Sequence, residues 1–340
     1  MFWLFVFIVS CLLLFWSGSH LVLSLMGIAR YLHLREFIVA FFIMAFAGSL
    51  PNLFIGIHSA LQKIPELSFA EIVGGNVVDL TLAVALAVLI TGDNLPVRSK
   101  MGQTSTFFTA AIAVLPLILI WDGSLTKQDG WVLLLAFGLY LFWLFSREER
   151  FRKVYKNHKK KTGPPGKKPA FSFFDFLMRK KGKNPFLRFR NFLKNLIGSI
   201  FFLALLLAAS WGVVESAQAF SALLGLSLPI IGILIVGLGN ALPETYFALA
   251  SARKHQTWMI LGDLMGSVIV CSTLILGIVV LICPIENIDI SPFAIARIFL
   301  ILAAVFFFIS VKTDRKITKK EAFFLLLIYI FFIAAEIIFH

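Results

Sequence analysis

Charge is what this sequence lacks most. Only 14% of its 340 residues are Asp, Glu, Lys or Arg, where a soluble domain carries roughly 25%. A water-covered surface of ordinary extent cannot be built from it, and no stretch reads as a separate soluble domain. Cysteine is nearly absent. Cys11, Cys271 and Cys283 stand singly in or beside apolar runs, which excludes a disulfide framework or a zinc site and reads as small buried side chains. The six histidines, His20, His33, His58, His158, His255 and His340, are scattered, with no H-E-x-x-H or paired spacing. A membrane enzyme acting on an anionic lipid would therefore have no nucleophile or metal set, so the chain is expected to be no enzyme and to need no cofactor. A basic stretch ahead of the first apolar run is also missing, so the N-terminus does not read as a signal peptide. IVSC at 8–11 fits a lipoprotein box only loosely, and the stretch reads as a retained first span.

What is present is apolar length, 59% of the chain. Runs able to cross roughly 30 Å of hydrocarbon fall near 2–29, 36–61, 68–91, 104–121, 130–146, 193–216, 228–251, 258–283, 291–311 and 322–339. The fold class expected is an all-α polytopic membrane protein of ten transmembrane helices, five on each side of a polar stretch. The domains are 1–146, a basic loop at 147–192, and 193–340. Of the 31 Lys and Arg residues, 28 fall in one alternate set of connections and 3 in the other. Positive charge favours the cytoplasmic side, so the basic loop is expected inside and both termini outside, in a plasma membrane of prokaryotic type.

The segment 147–194 holds 17 of the Lys/Arg residues and 3 acids. KNHKKKTGPPGKKP reads as a hinge. FSFFDFLMRKKGKNPFLRFRNFLK mixes Phe with Arg and Lys, the pattern of a helix lying on an anionic inner leaflet. Basic runs with aromatics also suit nucleic acid, but beside ten spans the lipid surface is the better partner, and no protein partner is indicated.

The two halves repeat. AFAGSLPNLFIGIHSA and AEIVGGNVVDLT in the second and third spans return as GLGNALPETYFALA and GDLMGSVIVCST in the seventh and eighth. Pro51 and Pro243 differ by 192 positions, as do Leu50 and Leu242, Asn52 and Glu244, Glu71 and Asp263, and Gly74 and Gly266. Five spans per half is an odd number, so the second half enters from the opposite side. The repeats are inverted, an arrangement that places sites at the repeat interface near the midplane.

Pro51 and Pro243 cannot donate to the carbonyls of Ala47 and Gly239. Both helices are expected to break near mid-depth and to turn free carbonyls inward. Glu71, Gly75 and Asp79 share one helical face, as do Asp263, Ser267 and Cys271. GGN at 74–76 and MGS at 265–267 would let helices approach closely. Asp79 and Glu244 are then the expected carboxylate ligands of a cation, converging with Ser49, Asn52, Asn76, Asn240 and Ser267 and the carbonyls of Ala47 and Gly239. Carboxylates with carbonyl oxygens suit a hard cation. Glu71, Asp263 and Cys271 are candidates for the ion path. Glu215 and Glu336 read as snorkelling or paired acids, and His58 as a packing residue.

SLPN and ALPE, each followed by G-x-x-x-G or a near-match, resemble the α-repeats of the sodium/calcium exchanger superfamily, the cation/Ca2+ exchangers. The resemblance covers essentially all ten spans. It implies an antiporter that exchanges Ca2+ for Na+ or H+ by alternating access, with spans one and six as sliding gates. The family's central glutamates fall on Asn52 and Glu244, and its small and backbone ligands on Ala47, Gly48 and Ser49 and on Gly239, Asn240 and Ala241. Its serines fall on Gly75 and Ser267, the next ligands on Asp79 and Cys271, and its motif asparagines on Glu71 and Asp263. One central glutamate is thus an amide, and each repeat-related pair keeps one acid. A relic of the exchanger fold, non-transporting or with an altered ion, is the alternative.

Overall fold

A computed structural model describes residues 1–31, 49–92, 94–97, 100–146, 185–253, 257–286 and 288–339. The first half of the predicted second span, with Ala47 and Gly48, and the basic stretch 147–184 lie outside the described residues. The helices run Phe2–Tyr31, Leu50–Leu61, Pro65–Val78 continuing to Thr91, Lys100–Leu119, Lys127–Ser146, Pro185–Leu224, Leu228–Ile231 continuing to Arg253, Thr257–Ile269 continuing to Ile282, Ala294–Asp314 and Lys319–Phe339. Eight of them are long and apolar enough to cross a membrane. Leu50–Leu61 and Lys127–Ser146 bring the spans to ten, and the chain is an integral multi-pass membrane protein.

Local chemistry sets several ends. Pro51, Pro65 and Pro229 stand in the first turns of their helices, where a missing N–H costs nothing. Gly92 closes the third span with φ +68°, a left-handed turn that a side chain would disfavour. The sixth helix starts ahead of the apolar run that marks its span. It begins at Pro185 and runs 40 residues, about 60 Å at helical rise, longer than the roughly 30 Å of hydrocarbon, so residues 185–192 form its continuous helical extension.

Spans one and six run antiparallel. Phe7 meets Phe220 with ring centroids 5.7 Å apart, Ser10 lies against Gly212, Ser24 against Gly198, and Tyr31 stacks on Phe192 at 4.5 Å. They are repeat mates, so their opposite sense is what inversion requires. Their apolar contacts, with Phe54, Ile55, Leu67 and Val236 of spans two, three and seven, form a core apart from the larger one built by spans three to five and seven to ten.

Two small clasps repeat the inversion on opposite faces. Leu95–Pro96 pairs antiparallel with Lys316–Ile317, and Val97 N–H donates to the Arg315 carbonyl at 2.7 Å. Leu125 and Ile285 exchange hydrogen bonds of 2.8 and 3.0 Å. The first joins the connection after span three to that after span nine, the second the connection after span four to that after span eight. Each joins connections that ten alternating spans put on one face, and the repeat operation converts one clasp into the other.

Candidate functional site

The third and eighth spans each open into a π-helical turn, Asp79–Ala83 and Val270–Ile275. With the offset of 192, Asp79 coincides with Cys271 and Ala83 with Ile275. A π turn inserts a residue into the helix and is common where function needs a side chain re-aimed. The sequence pattern gave no sign of either. The first turn begins at Asp79, an expected ligand, and the second begins at Val270, one residue before Cys271.

The seventh span corrects an expectation. Pro243 lies inside a continuous helix, Gly237–Arg253, and the irregular turn stands earlier, at Gly232–Val236. The Gly239 carbonyl still lacks its usual donor, since position 243 has no N–H, but the helix is not broken there. Pro51 sits in the first turn of its helix instead of inside one, and Leu53 N–H donates to the Ser49 carbonyl at 3.0 Å. Ala47 is outside the described residues.

Spans three and seven press together at the glycines. A methyl group on Gly74 would stand 2.2 Å from the Ile233 carbonyl oxygen, and one on Gly237 would meet the Gly75 nitrogen at 2.9 Å. The expected partner of this contact at MGS is not seen, since nothing among the described residues lies within 4 Å of a Gly266 methyl. The segment related by the repeat to Gly232–Val236 is 40–44, outside the described residues.

This packing buries the predicted residues together. Asn52, Asn76, Asp79, Asn240, Glu244, Ser49, Ser267, Glu71 and Cys271 are all buried, with Glu244 and Asp79 each 3% exposed. Asp263 is half-buried. Asn240 donates to Glu71 Oε1. Asn52 Nδ2 lies 3.2 Å from Cys271 Sγ, and Ser267 donates to Asp79 and sits 3.9 Å from Cys271. Asn76 Nδ2 donates to Ser272 Oγ at 2.7 Å, adding a residue the sequence reading missed. Ser272 follows Cys271 directly and is brought to face Asn76 by the π turn.

What remains unmatched defines the chemistry. Among the described residues, both Glu244 carboxylate oxygens, Asp79 Oδ1, Glu71 Oε2 and Asn52 Oδ1 are buried without a hydrogen-bond partner. The charged groups acting on Glu244 are all acids, Asp79, Asp263 and Glu71. An uncompensated buried carboxylate costs several kcal/mol. No three His, Cys, Asp or Glu side chains among the described residues converge closely enough to hold a metal by themselves. A cation here would need amide, hydroxyl and carbonyl oxygens beside the carboxylates, which is the ligand set of a hard ion.

Glu71 and Asp263 lie eight residues before Asp79 and Cys271, about 12 Å along each helix. The two spans run in opposite senses, so these acids sit on opposite sides of the central group. Away from it, Gln62 Nε2 is 3.0 Å from both Glu215 Oε1 and His58 Nε2, and Gln218 donates to Gln62. Glu215 is therefore paired, as expected, while His58 does more than pack.

The family model described as sodium/calcium exchanger protein matches residues 2–146 and 194–338. The sodium/calcium exchanger MaX1 of Methanosarcina acetivorans is 24% identical, with 93% of each chain covered. An uncharacterized membrane protein of Methanocaldococcus jannaschii is 23% identical over 97% of this chain and 96% of its own. Among solved structures, the sodium-calcium exchanger NCX_Mj soaked with 2.5 mM Na+ and 1 mM Sr2+ superposes with a TM-score of 0.60 at 22% identity, covering 98% of both chains. That similarity carries the fold of two inverted five-helix repeats.

Proposed function

Because this chain belongs to the sodium/calcium exchanger family, whose members are transporters of inorganic cations and not enzymes, we propose that it exchanges Ca2+ for Na+ or H+ at a midplane site. Glu244 and Asp79 neutralise the cation. Asn52 turns its free Oδ1 to it, and Ser49, Ser267, Asn76 and Asn240 with the carbonyls of Ala47 and Gly239 complete the oxygen shell or orient it. Cys271, paired with Asn52, closes the side opposite the two acids. Glu71 and Asp263 stand in the two approaches, one toward each face, and draw cations inward.

The observation that carries this reading is the set of buried oxygens on Glu244, Asp79 and Asn52 that meet no donor among the described residues, with only acids acting on Glu244. Spans one and six supply the gates. Their separate apolar core supports a sliding motion, because smooth contacts between two packed groups let one move past the other. The halves 1–146 and 193–340 act as the two repeats. The basic loop lies inside, held to anionic lipid, and both termini lie outside.

The test is a cation panel in proteoliposomes, with wild type beside Glu244→Gln and Asp79→Asn. Removing one side of a buried charge pair costs about 2–5 kcal/mol, so each variant should bind cation at least about 30-fold more weakly and lose gradient-driven uptake. Unchanged uptake by Glu244→Gln refutes the assignment. A second reading, a relic that no longer transports, is favoured by the neutral Asn52–Cys271 pair, where the family motif has a glutamate at position 52 and an Asn or Asp at 271. Cation-specific thermal stabilisation of the purified protein would count against it.

A further inference from the structure

We propose, resting on the exchange reading above, that His58 is a proton-sensitive latch on a gate: when it takes up a proton, span six is tied more tightly to span two at the face proposed as outer, and exchange slows. One amide group joins the two spans. Gln62 Nε2 donates to Glu215 Oε1 at 3.0 Å and lies 3.0 Å from His58 Nε2, while Gln62 Oε1 accepts from Gln218. An amide nitrogen only donates and a carboxylate only accepts. Glu215 therefore fixes which end of the Gln62 amide faces it, and His58 Nε2 must be the acceptor. This network requires a neutral His58 with its hydrogen on Nδ1.

Histidine is the side chain whose charge ordinarily changes between pH 5 and 8. Gln62 stands where span two ends, and exposed Lys63 opens the connection to span three, so protons from that side reach the latch. Among the groups on the elements around span two, span six brings Glu215, its one charged residue after Lys194. The connection to span three and that span bring Lys63, Glu66 and Glu71, span eight brings Cys271 over Val270–Ile282, and span one carries the Met1 amine, Cys11 and His20. Of these, Glu215 is the charge that acts on His58.

A proton added to Nε2 sets two donors against each other, and Gln62 must withdraw from His58. The imidazolium then donates to the Glu215 carboxylate that Gln62 had bridged. The proton comes from water and no other bond changes. A neutral amide bridge becomes a charge-assisted bond about twice as strong, between span two and a proposed gate. The repeat places Ala250, Lys254, Leu23 and Met26 at the positions related to His58, Gln62, Glu215 and Gln218, so the latch acts at one face only.

The measurement is Ca2+ self-exchange, 45Ca2+ entering wild-type proteoliposomes against internal Ca2+, at equal pH on both sides, which needs no knowledge of the counter-ion. Between pH 7.5 and 5.5 the maximal rate should fall about 5- to 10-fold, with its midpoint near about 6.5. Saturating Ca2+ should not restore it, which separates the latch from protons competing at the cation site. His58→Gln and Glu215→Gln should each keep one maximal rate across this range, and slowing of either variant like wild type overturns the latch. A second readout is independent of transport. In 15N-histidine NMR of the detergent-solubilised protein at pH 7.5, the ring signal missing from His58→Gln should carry its hydrogen on Nδ1, and a hydrogen on Nε2 overturns the proposal while leaving exchange intact. Absence of self-exchange by wild type at both pH values refutes exchange itself, and the gating role of His58 with it.

Discussion

Gly74 is the tightest point between the spans that carry Asp79 and Glu244, and adding one methyl group there tests the whole packing argument. The methyl of Gly74→Ala would stand 2.2 Å from the Ile233 carbonyl oxygen and 2.9 Å from two further Ile233 backbone atoms. Real contacts of this kind do not fall below 3.0 Å, so the two backbones must part by about 0.8 Å, and no rotamer change can absorb it because the obstacle is main chain. Overpacking of this order costs about 1–3 kcal/mol. The displacement also acts at a distance, because Asp79 follows Gly74 by little more than one helical turn and Glu244 follows Ile233 on the same span. A site misplaced by an ångström loses much of its affinity. The assay is thermal unfolding in detergent, with and without the transported cation. The reference is Gly138→Ala, at an exposed position with nothing within 4 Å, where the change should be neutral or stabilising by up to about 1 kcal/mol. Gly74→Ala should unfold several degrees lower and bind cation more weakly. Equal midpoints for the two variants would mean that spans three and seven do not meet as described.

Further outcomes follow from groups outside the cation site. Gln62 spends both amide hydrogens on Glu215 and His58 and its oxygen on Gln218, so Gln62→Leu strands three polar groups between spans two and six. A loss of about 1–3 kcal/mol is expected, read as a lower unfolding midpoint, while Gln218→Leu, which removes one bond only, should cost less. Asp289 accepts from the Ser291 N–H and hydroxyl, both at 2.9 Å, and these bonds hold its carboxyl below the usual range. A depressed folded pKa contributes order that is present above the ordinary aspartate value and lost as pH falls through the folded one. The Asp289 carboxyl carbon should therefore titrate in NMR below an unstructured aspartate, and Ser291→Ala should move the midpoint back toward it.

The parts of this molecule legible in the sequence are those with a period or a repeat. Apolar length marks spans without reference to packing, and the constant offset between SLPN and ALPE carries the inversion, because an odd number of spans per half leaves no other topology. The burial of Glu244 and Asp79 followed from the same logic. What failed were inferences from single residues to backbone geometry. Pro243 removes one hydrogen bond, yet the surrounding spans hold the helix together around it, and the irregular turn falls where Gly232 packs against Ala70 and Leu67. The π turns at Asp79 and Val270 were invisible because one inserted residue leaves an all-apolar pattern unchanged. Ser272 was missed for that reason: on a regular helix counted from Ser267 it would not face Asn76.

Symmetry has also survived unequally, and the pattern separates scaffold from chemistry. The clasps at Leu95–Ile317 and Leu125–Ile285, the paired π turns and the antiparallel first and sixth spans all obey the repeat. These are backbone features, set by helix length and register, and many sequences satisfy them. The polar side chains do not obey it. Glu244 and Asp79 face Asn52 and Cys271 as their counterparts, and the Gln62 network has Leu23, Met26, Ala250 and Lys254 at its related positions, where no such network of hydrogen bonds can form. A backbone that keeps twofold symmetry can still interchange its two halves during alternating access. The side chains of the proposed site need not be equivalent, and each unequal pair, such as Asn52 with Glu244, leaves the two halves chemically different. Substitutions among these polar side chains are therefore expected to alter the proposed exchange, whereas substitutions at the clasps are expected to change only whether the fold holds.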